Sequence, residues 1–142
     1  RQYGAIIVLN DEIVATGYNG APRGRKNCSD LGYCVREQMR VPRGERYELC
    51  RSVHAEANAI ISAERGRMIG SSIYLSGREV STGEYIRNSN SCSMCKRMII
   101  NAGIRRVVYE QGYPDDFSLQ LFHDAQIPIE QYDPATGGTT PC

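Results

Sequence analysis

At 142 residues, with 41% hydrophobic and 23% charged content, the chain is the right size for a single domain, 1–142, that buries its own core. No apolar run is long enough for a membrane-spanning helix and no secretory leader is evident, so a membrane-spanning helical protein is excluded and a cytoplasmic location is expected. A net charge of +1 gives no basis for non-specific binding of a long nucleic acid, although local arginines leave a small anionic ligand open.

The apolar, β-branched runs at 5–9 and 13–16, separated by Asn10, Asp11 and Glu12, predict a hairpin. The chain enters this hairpin at once, and an N-terminal helix that would cover it is expected to be missing. From Gly17-Tyr18-Asn19-Gly20-Ala21-Pro22 to Cys50 periodicity is lost, which predicts a long loop that is functional or fastened by something. Helical spacing returns at His54, with Ala57, Ile60 and Ile61 on one face. A short strand is expected at 73–75, followed by a polar stretch to Asn90. Met98, Ile99 and Ala102 mark a second helix, closed by Gly103 at a C′ position. A strand follows at 104–109, then a helix capped by Asp115 or Asp116 and bearing Leu119, Leu121 and Phe122. A weak strand at 127–129 and a flexible tail over 133–142 end the chain. This order predicts an α/β layer architecture built on a mixed sheet.

Two segments carry chemistry. Ser52-Val53-His54-Ala55-Glu56-Ala57-Asn58-Ala59 and Ser91-Cys92-Ser93-Met94-Cys95-Lys96 supply an imidazole and two thiolates, three ligands that leave the fourth tetrahedral corner of a zinc ion open, as catalytic sites require. Zinc lowers the pKa of its bound water towards about 7. Glu56, two residues beyond His54, is placed to carry protons to and from substrate as a general acid and base. Hydrolytic loss of ammonia from an amidine-like carbon is the expected reaction. A Cys-x-x-Cys alone suits a structural clip or a redox pair, and His-x-Glu alone is common in helices. Here both open predicted helices, whose N-termini favour anionic groups. With six cysteines in a reducing compartment, metal ligands plus spare thiols are expected rather than a disulfide framework.

With these residues in view, the chain resembles the deoxycytidylate deaminases of the cytidine deaminase-like superfamily. The resemblance rests on Gly17 to Pro22, on Cys50 to Ile60, on Cys92-x-x-Cys95 and on Ile99-Ile100-Asn101-Ala102-Gly103-Ile104. It implies a three-layer α/β/α fold with zinc between two helix N-termini, and conversion of dCMP to dUMP. It also implies substrate contacts from Asn19, from the backbone of Ala55, and from Arg65 and Tyr109, each of which has a plain structural alternative as turn, solvated or packing residue. Cys28, Cys34 and Cys50 would hold a second, structural zinc, or are free thiols. A homo-oligomer and Mg2+ with an allosteric nucleotide are further implications. The chain departs from the family pattern twice: Ser91 replaces a proline, where serine would cap the second helix, and the 38 positions from His54 to Cys92 include an excess over 78–90. A tRNA adenosine deaminase or a free-base deaminase uses the same ligands, but the acidic residues after Tyr113 disfavour RNA. A non-catalytic zinc module is disfavoured by Glu56.

Overall fold

The computed structural model describes residues 1–42, 45–86, 91–110 and 116–142, and for residues 116–118 the backbone alone. The chain opens with β1 (Gln2–Leu9) and β2 (Glu12–Tyr18), an antiparallel hairpin turned by Asn10 and Asp11 at φ 51° and 63°. Asparagine and aspartate tolerate this left-handed conformation, which matches the twist of the paired strands. Next come two short helices, α1 (Cys28–Leu31) and α2 (Val35–Gln38), and a 3₁₀ turn at Tyr47–Leu49, in the segment expected as loop. The remainder is α3 (Ala55–Ser62), α4 (Arg65–Met68), β3 (Ser72–Arg78), α5 (Ser93–Ala102), β4 (Arg106–Glu110), α6 (Asp116–Asp124), β5 (Ile129–Asp133) and β6 (Gly138–Pro141).

The six strands form one mixed sheet in the order β2-β1-β3-β4-β5-β6. β3, β4 and β5 run parallel, linked through α5 and α6, while β1 opposes both its neighbours. Because side chains alternate along a strand, register decides which face each residue occupies. Gly17, Ala5, Leu75 and Tyr109 stand side by side in one row, and Ala15, Ile7, Ile73, Val107 and Ile129 in the next. These rows meet Ala55 and Ala59 of α3, Ile99 and Ala102 of α5 and Phe122 of α6 in the core. Small residues beneath α3 and bulkier ones beneath α5 and α6 set how closely each helix approaches.

The opposite face presents Ile6, Tyr74, Val108 and Glu130. It bounds an open cavity of about 480 Å³ lined by strand residues only. Of the expected α/β/α layers, the described residues thus build the mixed sheet and the layer of α3, α5 and α6.

Two departures from expectation concern the ends of loops. The segment expected as a flexible tail turns at Asp133 and Gly137 and returns as β6, antiparallel to β5 and exposed throughout. The first part of the excess over 78–90 folds back on β3: Arg78 pairs with Tyr85, and the Ile86 amide donates to the Gly77 carbonyl at 2.8 Å. Residues 87–90 and Asp115 lie outside the described residues.

Candidate metal centre

The segment between β2 and α3 is closed at its base by a bridge. Gly20 N–H donates to Val53 O at 3.1 Å and Val53 N–H donates to Gly20 O at 2.7 Å. This pair returns the chain to the end of β2, so that His54 starts α3 over the hairpin. His54 is the N-cap residue of α3, with extended backbone (φ −71°, ψ 155°). Close packing keeps α3 in place: a Cβ on Gly17 would lie 2.2 Å from Ala55 O and 2.3 Å from Ala59 N, so only glycine allows the helix this near the strand. The Asn58 amide then donates to Tyr18 O at 2.7 Å, tying the helix to the strand end.

Cys92 is the N-cap of α5, and its sulfur accepts from the Cys95 amide at 3.5 Å. The two motif helices therefore begin side by side, with His54 Nδ1 at 3.4 Å from Cys92 Sγ and 3.6 Å from Cys95 Sγ. Tetrahedral zinc with ordinary Zn–S and Zn–N bonds requires an S···N edge of about 3.6 Å. The three ligand atoms lie within 4.8 Å of one another and form the one such cluster among the described residues. Donor set and spacing both fit zinc, held by His54, Cys92 and Cys95.

Electrostatics agree with this grouping. A hydrogen bond from Cys95, with His54 adding to it, holds the Cys92 thiol down at about 3. The same contact, in which Cys95 is the donor, pushes the Cys95 thiol up. The Cys92 contact also raises His54. One thiolate is thus already favoured by the helix N-terminus and its neighbours, and a dication is the partner that satisfies both.

Glu56 lies in the first turn of α3 and is 4% exposed. Burial raises its pKa, opposed by its own backbone amide, by Ser91 and by His54. A buried carboxyl that holds its proton more tightly than usual, in the first turn of the helix that His54 caps, suits proton transfer. Ser91 does not cap α5 as expected, because the neighbouring Cys92 takes that place. Among the described residues its hydroxyl is instead enclosed without a hydrogen-bond partner. It lies near enough to act on the Glu56 carboxyl but makes no hydrogen bond to it of acceptable geometry.

The residues expected around the substrate are not all brought together. Ala55 is fully buried next to His54. Asn19 is near the bridge, but its side chain is engaged elsewhere: its Oδ1 accepts from Tyr3 N at 2.7 Å and its Nδ2 donates to Arg1 O at 3.2 Å. Tyr109 is a core residue whose hydroxyl lies 3.0 Å from Cys142 Sγ. Arg65 begins α4 and donates to Asn101 O at 3.4 Å. That carbonyl is in the last turn of α5, about 14 Å along the helix axis from the Cys92 end. Cys28, Cys34 and Cys50 do not form an equally tight ligand cluster among the described residues, yet the Cys28 thiol, raised chiefly by burial, is also raised by Cys34 and Cys50.

Sequence reasoning passes over four residues that support the centre. Gly17 and Asn58 lie inside motifs quoted for other reasons. Tyr47 and Arg36 lie in the aperiodic segment, where the available signal is an aromatic flanked by charged residues. Tyr47 packs edge-to-face with the His54 ring, centroids 6.2 Å apart.

Comparison with known proteins agrees with the geometry. The family described as the cytidine and deoxycytidylate deaminase zinc-binding region matches residues 1–111. A deoxycytidylate deaminase of Mycobacterium phage D29 is 37% identical over 111 residues, 75% of each chain. One from Schizosaccharomyces pombe is 32% identical over 135 residues, covering 94% of this chain and 38% of the relative. The chain thus spans under two fifths of that relative's length. Among solved structures, the dCMP deaminase of cyanophage S-TIM5, also determined with dCMP and dUMP, aligns with a TM-score of 0.58 at 24% identity, covering 91% of this chain and 79% of that one. That likeness concerns the fold.

Proposed function

The chain belongs to the cytidine and deoxycytidylate deaminase zinc-binding family, and from that premise we propose that it hydrolytically deaminates deoxycytidylate to deoxyuridylate, releasing ammonia. The observation that carries the reading is the pair of S···N distances, 3.4 and 3.6 Å, with a buried glutamate in the first turn of the helix that His54 caps. When bound, zinc supplies a water acidified towards about 7 as the nucleophile. His54, Cys92 and Cys95 would hold the ion through three ligands, which leaves a fourth position for water or substrate. Glu56 would take the first proton of the attacking water and pass it to the ring nitrogen beside the amino-bearing carbon, then take the second, from the hydroxyl newly bonded to that carbon, and pass it to the departing amine as the carbon–nitrogen bond breaks. Its burial excludes bulk water, which keeps the proton on the carboxyl between these transfers. The backbone at Ala55 and the loop at Asn19 are the substrate-side groups on the pyrimidine and sugar. Arg65, which donates to Asn101 O at the far end of α5, and Tyr109 are expected near the nucleotide from the family resemblance alone.

Glu56→Gln should reduce ammonia release from dCMP by at least about 10²-fold while the protein keeps its zinc. Substantial residual activity would remove Glu56 from the mechanism. Running CMP, deoxycytidine, cytosine and an adenosine-containing RNA hairpin alongside dCMP decides the substrate: release from the hairpin or from cytosine alone would retain the zinc chemistry and discard the nucleotide.

The same reading includes a second, structural zinc on Cys28, Cys34 and Cys50, supported by the nearness of Cys34 and Cys50 to the Cys28 thiol, which both help to raise. Such an ion would fasten α1, α2 and the 3₁₀ turn. Two zinc ions per chain are expected by elemental analysis, falling to one in Cys34→Ser; a single ion in the unaltered chain sinks the idea. A homo-oligomer, Mg2+ with an allosteric nucleotide and a cytoplasmic setting follow from the family alone.

A further inference from the structure

The zinc ligand His54 turns Nδ1 towards both sulfurs, which leaves the remainder of its ring to be held by something else. Metal-bound imidazoles are usually oriented by a hydrogen bond to the second nitrogen, and losing that support weakens the metal site. None of the described hydrogen bonds of His54 serves this purpose. What meets the ring is Tyr47, its plane at 81° to the imidazole, an edge-to-face geometry that aromatic quadrupoles favour.

Tyr47 is itself held. The Arg36 guanidinium lies 4.4 Å from the centre of its ring, within the range of a cation–π contact. Arg36 is fixed in turn by two carbonyls of its own segment: Nη2 donates to Pro42 O at 2.9 Å and to Glu45 O at 2.7 Å. Among the described residues its Nε is enclosed without a partner, and ring stacking and the two carbonyls are the contacts that hold the group. A chain of contacts thus runs from α2 through the 3₁₀ turn to the metal ligand, and both elements sit in the aperiodic segment that the catalytic motifs leave unexplained.

We propose that Tyr47 is a positioning residue for the zinc ligand His54, and that Arg36 clamps Tyr47 in that position. The proposal rests on the zinc reading of His54, Cys92 and Cys95. Without the aromatic contact the imidazole rotates more freely about its side-chain bonds, and one of three protein ligands becomes less preorganised. The long segment between Cys34 and Cys50 then has a task, to brace the one ligand contributed by α3.

The test follows metal retention rather than turnover. Zinc-loaded protein is mixed with a chromogenic chelator and the release rate recorded, and the cobalt-loaded form is examined by absorption for its ligand-field bands. Tyr47→Ala should release zinc about 2- to 10-fold faster and shift the cobalt bands. Tyr47→Phe, which keeps the ring, should match the unaltered protein, and Arg36→Gln should show a smaller acceleration in the same direction. Tyr33→Ala, another tyrosine of the same segment, should change neither readout. If folded Tyr47→Ala shows unaltered release and spectrum, the proposal fails. If Tyr47→Ala does not fold, unaltered release in Arg36→Gln overturns the clamp by itself. An unaltered protein that binds no zinc at all would instead overturn the reading on which the clamp depends.

Discussion

The two faces of the sheet are held by different physics. On the inner face, contact is set by shape: Gly17, Ala5 and Ala15 lie beneath the alanines of α3, and Ile99, Ile104 and Phe122 fill the space beside them. On the outer face, charge and hydrogen bonds do the work. Arg106 donates through Nε and Nη2 to the Glu130 carboxylate at 2.8 and 2.6 Å and through Nη1 to Tyr74 OH at 2.9 Å, while Ser76 Oγ donates to Glu110 at 2.8 Å. Shape-based packing transmits small displacements because dense interiors yield little, whereas an ion pair at a water-exposed surface relaxes locally. The metal centre is built on helices that stand on the inner face. Disturbing that face should therefore reach the site, and disturbing the other should not.

Gly17→Ala gives the largest expected effect. The added Cβ meets backbone atoms of Ala55 and Ala59, which cannot rotate aside as a side chain can. α3 must lift, carrying His54 and Glu56 with it. We expect a loss of about 3 kcal/mol in urea unfolding, together with faster zinc release and lower turnover than stability alone would produce. A variant with unaltered stability and zinc retention would show that α3 can slide without cost, and would break the distinction between the faces.

Much of this arrangement is legible in the sequence because the residues are close in the chain or follow a period. The hairpin is marked by two polar residues suited to positive φ, the end of α5 by Gly103 at φ 79°, and the metal ligands by two short motifs at predicted helix starts. The mixed sheet follows from the alternation of elements. What escapes is non-local or unpatterned. β6 consists of glycine, threonine and proline with every residue exposed, so no alternation signals it and only its pairing to β5 defines it. Asn19 lies in a quoted motif, but nothing local signals that its amide accepts from Tyr3 N and donates to Arg1 O at the open end of β1. Arg65 is near His54 in number, yet α3 carries the chain away from the metal before Arg65 is reached, towards the last turn of α5. Ser91 looks like a helix cap until Cys92 is seen to occupy that position. Tyr47 and Arg36 interact across residues without periodicity, which a one-dimensional pattern cannot register.

Glu130→Gln gives the smallest expected effect and tests the outer face. The Arg106 guanidinium, helped by Thr139, holds the Glu130 carboxyl at about 2 instead of its ordinary 4.5. Because the folded-state value is depressed, the ionised form favours folding. Its contribution is complete above about pH 5 and declines as pH falls from 4.5 through 2. The pair stands at the margin of the sheet, with Arg106 one-third exposed, so solvent screening limits the contribution to about 1 kcal/mol. Urea unfolding should therefore show the variant less stable by that amount at pH 7, with the two stabilities converging near pH 2. Zinc retention and dCMP turnover at pH 7 should remain unaltered, because Glu130 contacts Arg106 on the face away from α3 and α5. A stability gap that stays constant down to pH 2 would mean that the pair acts through packing rather than charge, and the outer face would then differ from the inner one in degree only.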